Sequence, residues 1–176
     1  MKILSFISII IPIMIGLQTV SAQKSCSLFN GPTVKKLLTS DSMQVLHKES
    51  RTNNINIKAV RDFIKSFKNI DSVKWYAIPD GSFAKFLKDG IEIQVYYDVS
   101  GKRRCILRSY DESHMMFEIR DIIKRQYYDY NILVVYEIEN YDAVTYIVKI
   151  KYRNNLKVLQ ITDNDMVVSG DYVLNS

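Results

Sequence analysis

The chain has 176 residues, 47% of them hydrophobic and 24% charged, with 24 basic and 19 acidic side chains and a formal charge of +5. This length suits one domain, or two small repeats sharing a sheet. The positive excess is mild and scattered among acidic residues, which argues against a nucleic-acid binder and makes the high isoelectric point a matter of solubility.

Met1 and Lys2 precede an apolar run from Ile3 to Leu17, which is followed by Gln18-Thr19-Val20-Ser21-Ala22. A positive start, an apolar stretch and small residues form the three parts of a secretory signal peptide, and Val20 and Ala22 suit positions −3 and −1. Cleavage is predicted between Ala22 and Gln23. A retained membrane anchor fits less well, because the run is roughly 15 residues against the ~20 of a spanning helix. Pro12 and Gly16 also interrupt it. A lipid anchor on Cys26 fits poorly too, since Gln23-Lys24-Ser25 lacks the Leu-like residue and the small residues that such a site needs. Removing 22 of the 176 residues leaves 154, and the loss of Lys2 lowers the charge from +5 to +4. The mature protein is expected to be periplasmic or secreted, with no membrane span after cleavage.

Residues 23–55 are polar and lack a sustained period. Gly31-Pro32 breaks the chain, Ser40-Asp41-Ser42 suggests a turn, and Val34–Leu38 and Met43–Leu46 suggest short helices. This segment reads as an extended lead-in.

The first patterned unit covers 56–112. Val60, Phe63, Ile64 and Phe67 recur at helical spacing with charged residues between them, which predicts an amphipathic helix. Val73, Trp75 and Ala77 alternate with polar positions, and Pro79-Asp80-Gly81 supplies a turn. Phe83 to Lys88 is a second strand. Asp89-Gly90 is a strong hairpin signal, since type I′ turns need positive φ at both central residues. Ile91, Ile93, Val95 and Tyr97 face one way and Glu92, Gln94 and Tyr96 the other, which predicts a sheet covered on one side. Asp98-Val99-Ser100-Gly101 turns the chain into a fourth strand, Arg104 to Tyr110.

The second unit covers 113–176. A helix is predicted from near Ser113 to about Tyr127, with Ile119, Ile122 and Ile123 on its apolar stripe. Strands follow at Ile132–Ile138, Ala143–Tyr152, Leu156–Ile161 and a short one at Met166–Ser169, whose brevity would blunt edge-to-edge pairing. Val60-Arg61-Asp62-Phe63-Ile64-Lys65 matches Ile119-Arg120-Asp121-Ile122-Ile123-Lys124 at four of six positions. The order helix, four strands, helix, four strands therefore predicts an α+β fold of two tandem repeats, each one helix plus a four-stranded antiparallel sheet, with a shared core.

Groups that could carry chemistry are few. His47 and His114 have no neighbour at metal-ligand spacing, no Cys-x-x-Cys is present, and no glycine-rich phosphate loop or Gly-x-Ser-x-Gly elbow occurs. Asp163-Asn164-Asp165 lacks the spacing, central glycine and distal glutamate of a calcium loop and reads as a β-turn. No catalytic site, metal or cofactor is expected. Cys26 and Cys105 could form a disulfide in an oxidising compartment. The plainer reading leaves Cys26 in a loose tail and Cys105 as a small buried strand residue, and pairing cannot be read from sequence. Twelve tyrosines and a single tryptophan, Trp75, make the chain rich in aromatics. Most of these suit ordinary cross-strand packing. Tyr96, on the polar side of its strand, and Tyr127, Tyr128 and Tyr130, at a helix-to-strand corner, could instead form a recognition face, since tyrosine offers rigid contact area with a polar tip.

Val73-Lys74-Trp75, Phe83-x-x-Phe86, Val95-Tyr96-Tyr97-Asp98-x-x-Gly101, Ile119-Arg120, Tyr127-x-x-Tyr130-x-Ile132, Val135-x-Glu137-Ile138 and Tyr146-x-Val148 occur in this order. In this the chain resembles the β-lactamase-inhibitor-like, PepSY-like exported proteins of Bacteroidota, over about Ile57 to Val168. One departure is Met116-Phe117, where a Leu-Pro pair often opens the second helix. The resemblance implies an exported α+β module of two helix-plus-sheet repeats, and carries over no inhibitory residues. The resulting expectation is a non-enzymatic binding module that inhibits or regulates an envelope or extracellular protein. A periplasmic carrier holding a small apolar ligand between helix and sheet is the alternative. Oligomeric state is left open.

Overall fold

The structure is a computed structural model and describes residues 55–174. Within them, helix α1 (Ile57–Ser66) leads into strands β1 (Lys74–Ile78), β2 (Gly81–Lys88), β3 (Ile91–Asp98) and β4 (Arg103–Tyr110). A 3-10 turn (Glu112–His114) and helix α2 (Phe117–Gln126) follow, then β5 (Asn131–Glu139), β6 (Val144–Tyr152), β7 (Asn155–Thr162) and β8 (Asp165–Val173). The signal-peptide and lead-in readings, together with Cys26 and His47, lie outside the described residues.

The eight strands form one antiparallel sheet in chain order. This corrects the expectation of two four-stranded sheets. β4 pairs with β5 from Ile106↔Glu139 to Tyr110↔Val135, so the strands on either side of α2 are neighbours. The physical reason is the cost of edges. Two separate sheets would leave two further rows of unpaired N–H and C=O groups, which the β4–β5 ladder satisfies instead.

Local chemistry sets each turn. Asp89 and Gly90 take φ of 51° and 80° between Lys88 and Ile91, as a type I′ hairpin requires. Asp163 and Asn164, at 52° and 68°, do the same between Thr162 and Asp165, so this acidic stretch is a hairpin turn. The last strand is longer than its sequence suggested, at nine residues. A bulge at Val158/Leu159 breaks its register with β7.

Both helices pack on one face of the sheet. α1 is capped by the Asn56 side chain, which accepts from the Lys58 N–H at 2.9 Å and donates to the Val99 carbonyl at 2.9 Å. Its Phe63 stacks on Phe67 at 5.1 Å and meets Trp75 and Phe86 edge-on at 5.5 and 5.4 Å, over Ala84, Val95 and Tyr97. α2 buries Ile119 and Ile123 against Val135, Val148, Ile150, Leu159 and Ile161. The opposite face carries a third apolar cluster, Phe83, Tyr96, Cys105, Leu107, Ile138, Ile147 and Val158, made wholly of strand residues. The one-sided sheet predicted from β3 is thus buried on both sides, with Gln94, Ser82 and Lys149 among its buried polar residues.

Candidate recognition surface

The turn from α2 into β5 builds an aromatic corner. α2 ends at Tyr127, whose N–H donates to the Ile123 carbonyl at 2.8 Å, and the Tyr130 N–H donates to the Tyr127 carbonyl at 3.1 Å. This tight turn sets the Tyr127 and Tyr130 rings edge to face at 5.4 Å. The pairing of Asn131 with Lys151 then brings the end of β6 alongside, so Tyr130 lies 5.6 Å from Tyr152. Arg153, held at φ 52° in the β6–β7 turn, places its guanidinium 5.0 Å over the Tyr152 ring. Tyr128 projects from the tip, 81% exposed.

Cations rim the corner. Lys124 Nζ donates to the Tyr130 carbonyl at 2.5 Å, and Arg125 pairs with Asp121 at 2.6 Å. The Lys157 ammonium is held above its usual range by its hydrogen bond to Asp171, with smaller contributions from the nearby Tyr130 and Tyr127. The corner offers rigid aromatic area, phenol hydroxyls and positive charge. It joins three of the four tyrosines singled out from sequence. Tyr152 and Arg153 were missed, because they lie more than twenty residues away and only the β5–β6 register brings them in.

Tyr96 stands apart on the sheet face opposite the helices. It is buried, donates to Gln94 Oε1 at 2.7 Å and stacks on Phe83 at 5.0 Å. Burial pushes its phenol well above the usual range, reinforced by Glu92. Cys105 lies on the same face, 2% exposed, and carries no free thiol.

Asp111, Ser113 and His114 form the only serine–histidine–carboxylate grouping of the 3-10 turn. Asp111 Oδ1 accepts from the Ser113 N–H at 2.9 Å and from its hydroxyl at 2.5 Å, and lies 3.3 Å from His114 Nδ1. The same Nδ1 lies 3.1 Å from the Ser113 hydroxyl. One ring nitrogen meeting both groups cannot relay a proton from serine to a base oriented by the carboxylate. This grouping is a capped turn, and the Ser113 hydroxyl holds the Asp111 carboxyl below its usual range. Glu112 pairs with Arg120 of α2 at 2.7 Å and steadies the helix start. No three His, Cys, Asp or Glu side chains converge among the described residues.

A polar seam crosses the helix-bearing face between the two helical clusters. Arg108 bonds Glu137 Oε1 and Glu139 Oε2, each at 2.7 Å, and the Tyr110 hydroxyl donates to Glu137 Oε2 at 2.6 Å. Burial, then Glu137, push the Tyr110 phenol far up. Towards the other end of β4, the Tyr97 hydroxyl donates to Asp62 of α1 at 3.0 Å. A cavity of about 260 Å³ opens at the β4–β5 end, lined by Arg103, Arg104, Glu139, Asn140 and Tyr141 among others.

No protein-family model and no curated protein matches the chain. Solved structures do. A DUF2874 family protein from Bacteroides ovatus superposes with a TM-score of 0.57 at 14% identity, over 68% of this chain and 87% of that one. A BLIP-like protein from Bacteroides fragilis gives 0.58 at 12%, over 69% and 89%. A structure from Bacteroides eggerthii described as "putative periplasmic proteins" gives 0.56 at 8%, over 68% and 88%. None of these three is described as PepSY-like, so the β-lactamase-inhibitor-like half of the resemblance is the half supported. No described helix is long and apolar enough to cross a membrane. This chain has the fold of the DUF2874 and BLIP-like structures.

Proposed function

We propose that the protein is an exported, non-enzymatic binding module whose tyrosine corner engages an acidic surface of an envelope or extracellular protein, inhibiting or regulating it. The observation that carries the reading is the corner itself, where Tyr127, Tyr130, Tyr152 and Arg153 form a chain of aromatic and cationic contacts, with Tyr128 exposed in the same turn. Tyrosine and arginine in such settings dominate binding energy at protein interfaces. The BLIP-like and periplasmic descriptions of the neighbouring structures agree with an inhibitor-like role outside the cytoplasm. The carrier alternative calls for an apolar cavity, and the β4–β5 cavity mixes Arg103, Arg104, Glu139 and Asn140 with Cys105, Ile106 and Tyr141.

The test is crosslinking capture from envelope extract with the mature chain, residues 23–176, and with its Tyr128→Ala variant. A partner enriched by the first and lost by the second supports the reading. Equal capture by both, or no enriched protein, contradicts it.

A further inference from the structure

Helix α1 buries Ala59 and Phe63 against the sheet, and its opposite ridge faces solvent. At about 100° per residue, Ile57 and Ile64 stand within about 20° of each other on that ridge, about 10 Å apart along the axis. They are 59% and 66% exposed. A single exposed apolar residue is ordinary on a protein surface. Two aliphatic side chains one above the other on the outermost ridge of a helix are placed for contact.

Cations surround them. Arg61 falls between the two isoleucines, Lys58 and Lys65 flank the ridge, and Lys68 follows just past the helix end, all four exposed. Among the described residues none of the four has an ion-pair partner. The one acid of the helix, Asp62, is engaged on its flank, where it accepts from the Tyr97 hydroxyl and lies 3.7 Å from Arg103. α2 differs, since its Arg120 and Arg125 are matched by Glu112 and Asp121. On the same side of the sheet, α2 opens with the exposed Met116 and Phe117.

We propose that the outer ridge of α1 is a docking surface for an anionic lipid bilayer. The uncompensated positive charge selects an anionic partner, and the shape of the ridge selects lipid over protein. Lysine is depleted from protein interfaces, whose hot spots fill pockets, whereas this ridge is convex, aliphatic and rich in lysine. On a bilayer the cationic heads stay among anionic headgroups while Ile57 and Ile64 enter the acyl boundary. The ridge uses no residue of the tyrosine corner, so its failure as a lipid surface would leave that reading standing.

The experiment is co-sedimentation of the mature chain, residues 23–176, with vesicles of phosphatidylglycerol and phosphatidylcholine in equal parts, and with phosphatidylcholine alone. The expected result is binding to the first, binding at least about ten-fold weaker to the second, and release from the first as NaCl rises from about 50 to about 500 mM. Ile57→Ser with Ile64→Ser should lose about ten-fold. Lys58→Gln with Arg61→Gln and Lys65→Gln should lose at least as much, since each cation near an anionic surface contributes about five-fold. Leu87→Ser, exposed on β2, should keep binding, and all the variants should melt with the unsubstituted chain. No binding to phosphatidylglycerol vesicles, equal binding to both lipids, or unchanged binding in either α1 variant would overturn the proposal. So would an envelope protein crosslinked through Lys65 of a chain that ignores the vesicles, which would give the ridge to an acidic protein.

Discussion

At the β3–β4 turn one carboxylate organises the chain. Asp98 Oδ1 accepts from the Ser100 N–H at 2.9 Å, the Ser100 hydroxyl at 2.6 Å and the Lys102 N–H at 2.9 Å, and Oδ2 pairs with Arg104 at 2.6 Å. Burial opposes ionisation, yet the Ser100, Lys102 and Arg104 contacts together hold the carboxyl below its usual range. A lowered value in the folded state means stability that is full above the unfolded value, about pH 4, and is lost as pH falls through the folded one. Asp98→Asn should therefore cost about 1–2 kcal/mol at pH 7, with the gap to the unsubstituted protein closing below about pH 4. Urea unfolding followed by Trp75 fluorescence at pH 7 and pH 3 checks this. Gly81 is a second sensitive residue. It sits at φ +146°, and a Cβ there would lie 2.0 Å from the Tyr97 carbonyl oxygen. Gly81→Ala should lower the melting temperature by more than ten degrees, read by circular dichroism, because backbone on both strands must shift. The glycine was legible as part of a Pro-Asp-Gly turn, but its close approach to β3 was not, since that depends on the β2–β3 register. The Arg108–Glu137–Glu139 seam was hidden for a similar reason, as its members meet only once β4 and β5 are neighbours.

The elements themselves were largely readable. All eight strands and both helices were anticipated from period-two and period-3.6 patterns and from dipeptides such as Asp89-Gly90. The pairing across α2 was not, because no local signal specifies which edge a strand meets after a helix. Reading two sheets followed from that gap. α2 shows what fixes the join. It has no side-chain cap at Met116 and so depends on packing, with Ile123 fully buried against the strands below it. Ile123→Ala should cost about 3 kcal/mol in urea unfolding, through lost transfer energy and a cavity left behind. Arg108→Ala should cost about 2 kcal/mol, since Glu137 would be left half-buried without its cation, while Arg108→Met with Glu137→Gln should recover part of that loss. The same urea series measures both.

At the scale of the molecule, one sheet divides the labour between two faces and one corner. The helix face holds the core, and the tyrosine corner stands at its margin, where α2 hands the chain to β5. Part of this surface could be read locally, as three tyrosines within four residues. Its completion by Tyr152 and Arg153 depends on the eight-stranded register. The most direct measurement compares capture from envelope extract by the mature chain, by Tyr128→Ala, and by Leu87→Ala, which trims another exposed apolar side chain away from the corner. All three should melt at the same temperature. Recognition through the corner predicts that Tyr128→Ala loses about thirty-fold in affinity for the enriched partner, the scale of an interface hot spot, while Leu87→Ala keeps it. Equal loss in both variants, or none in either, would contradict it.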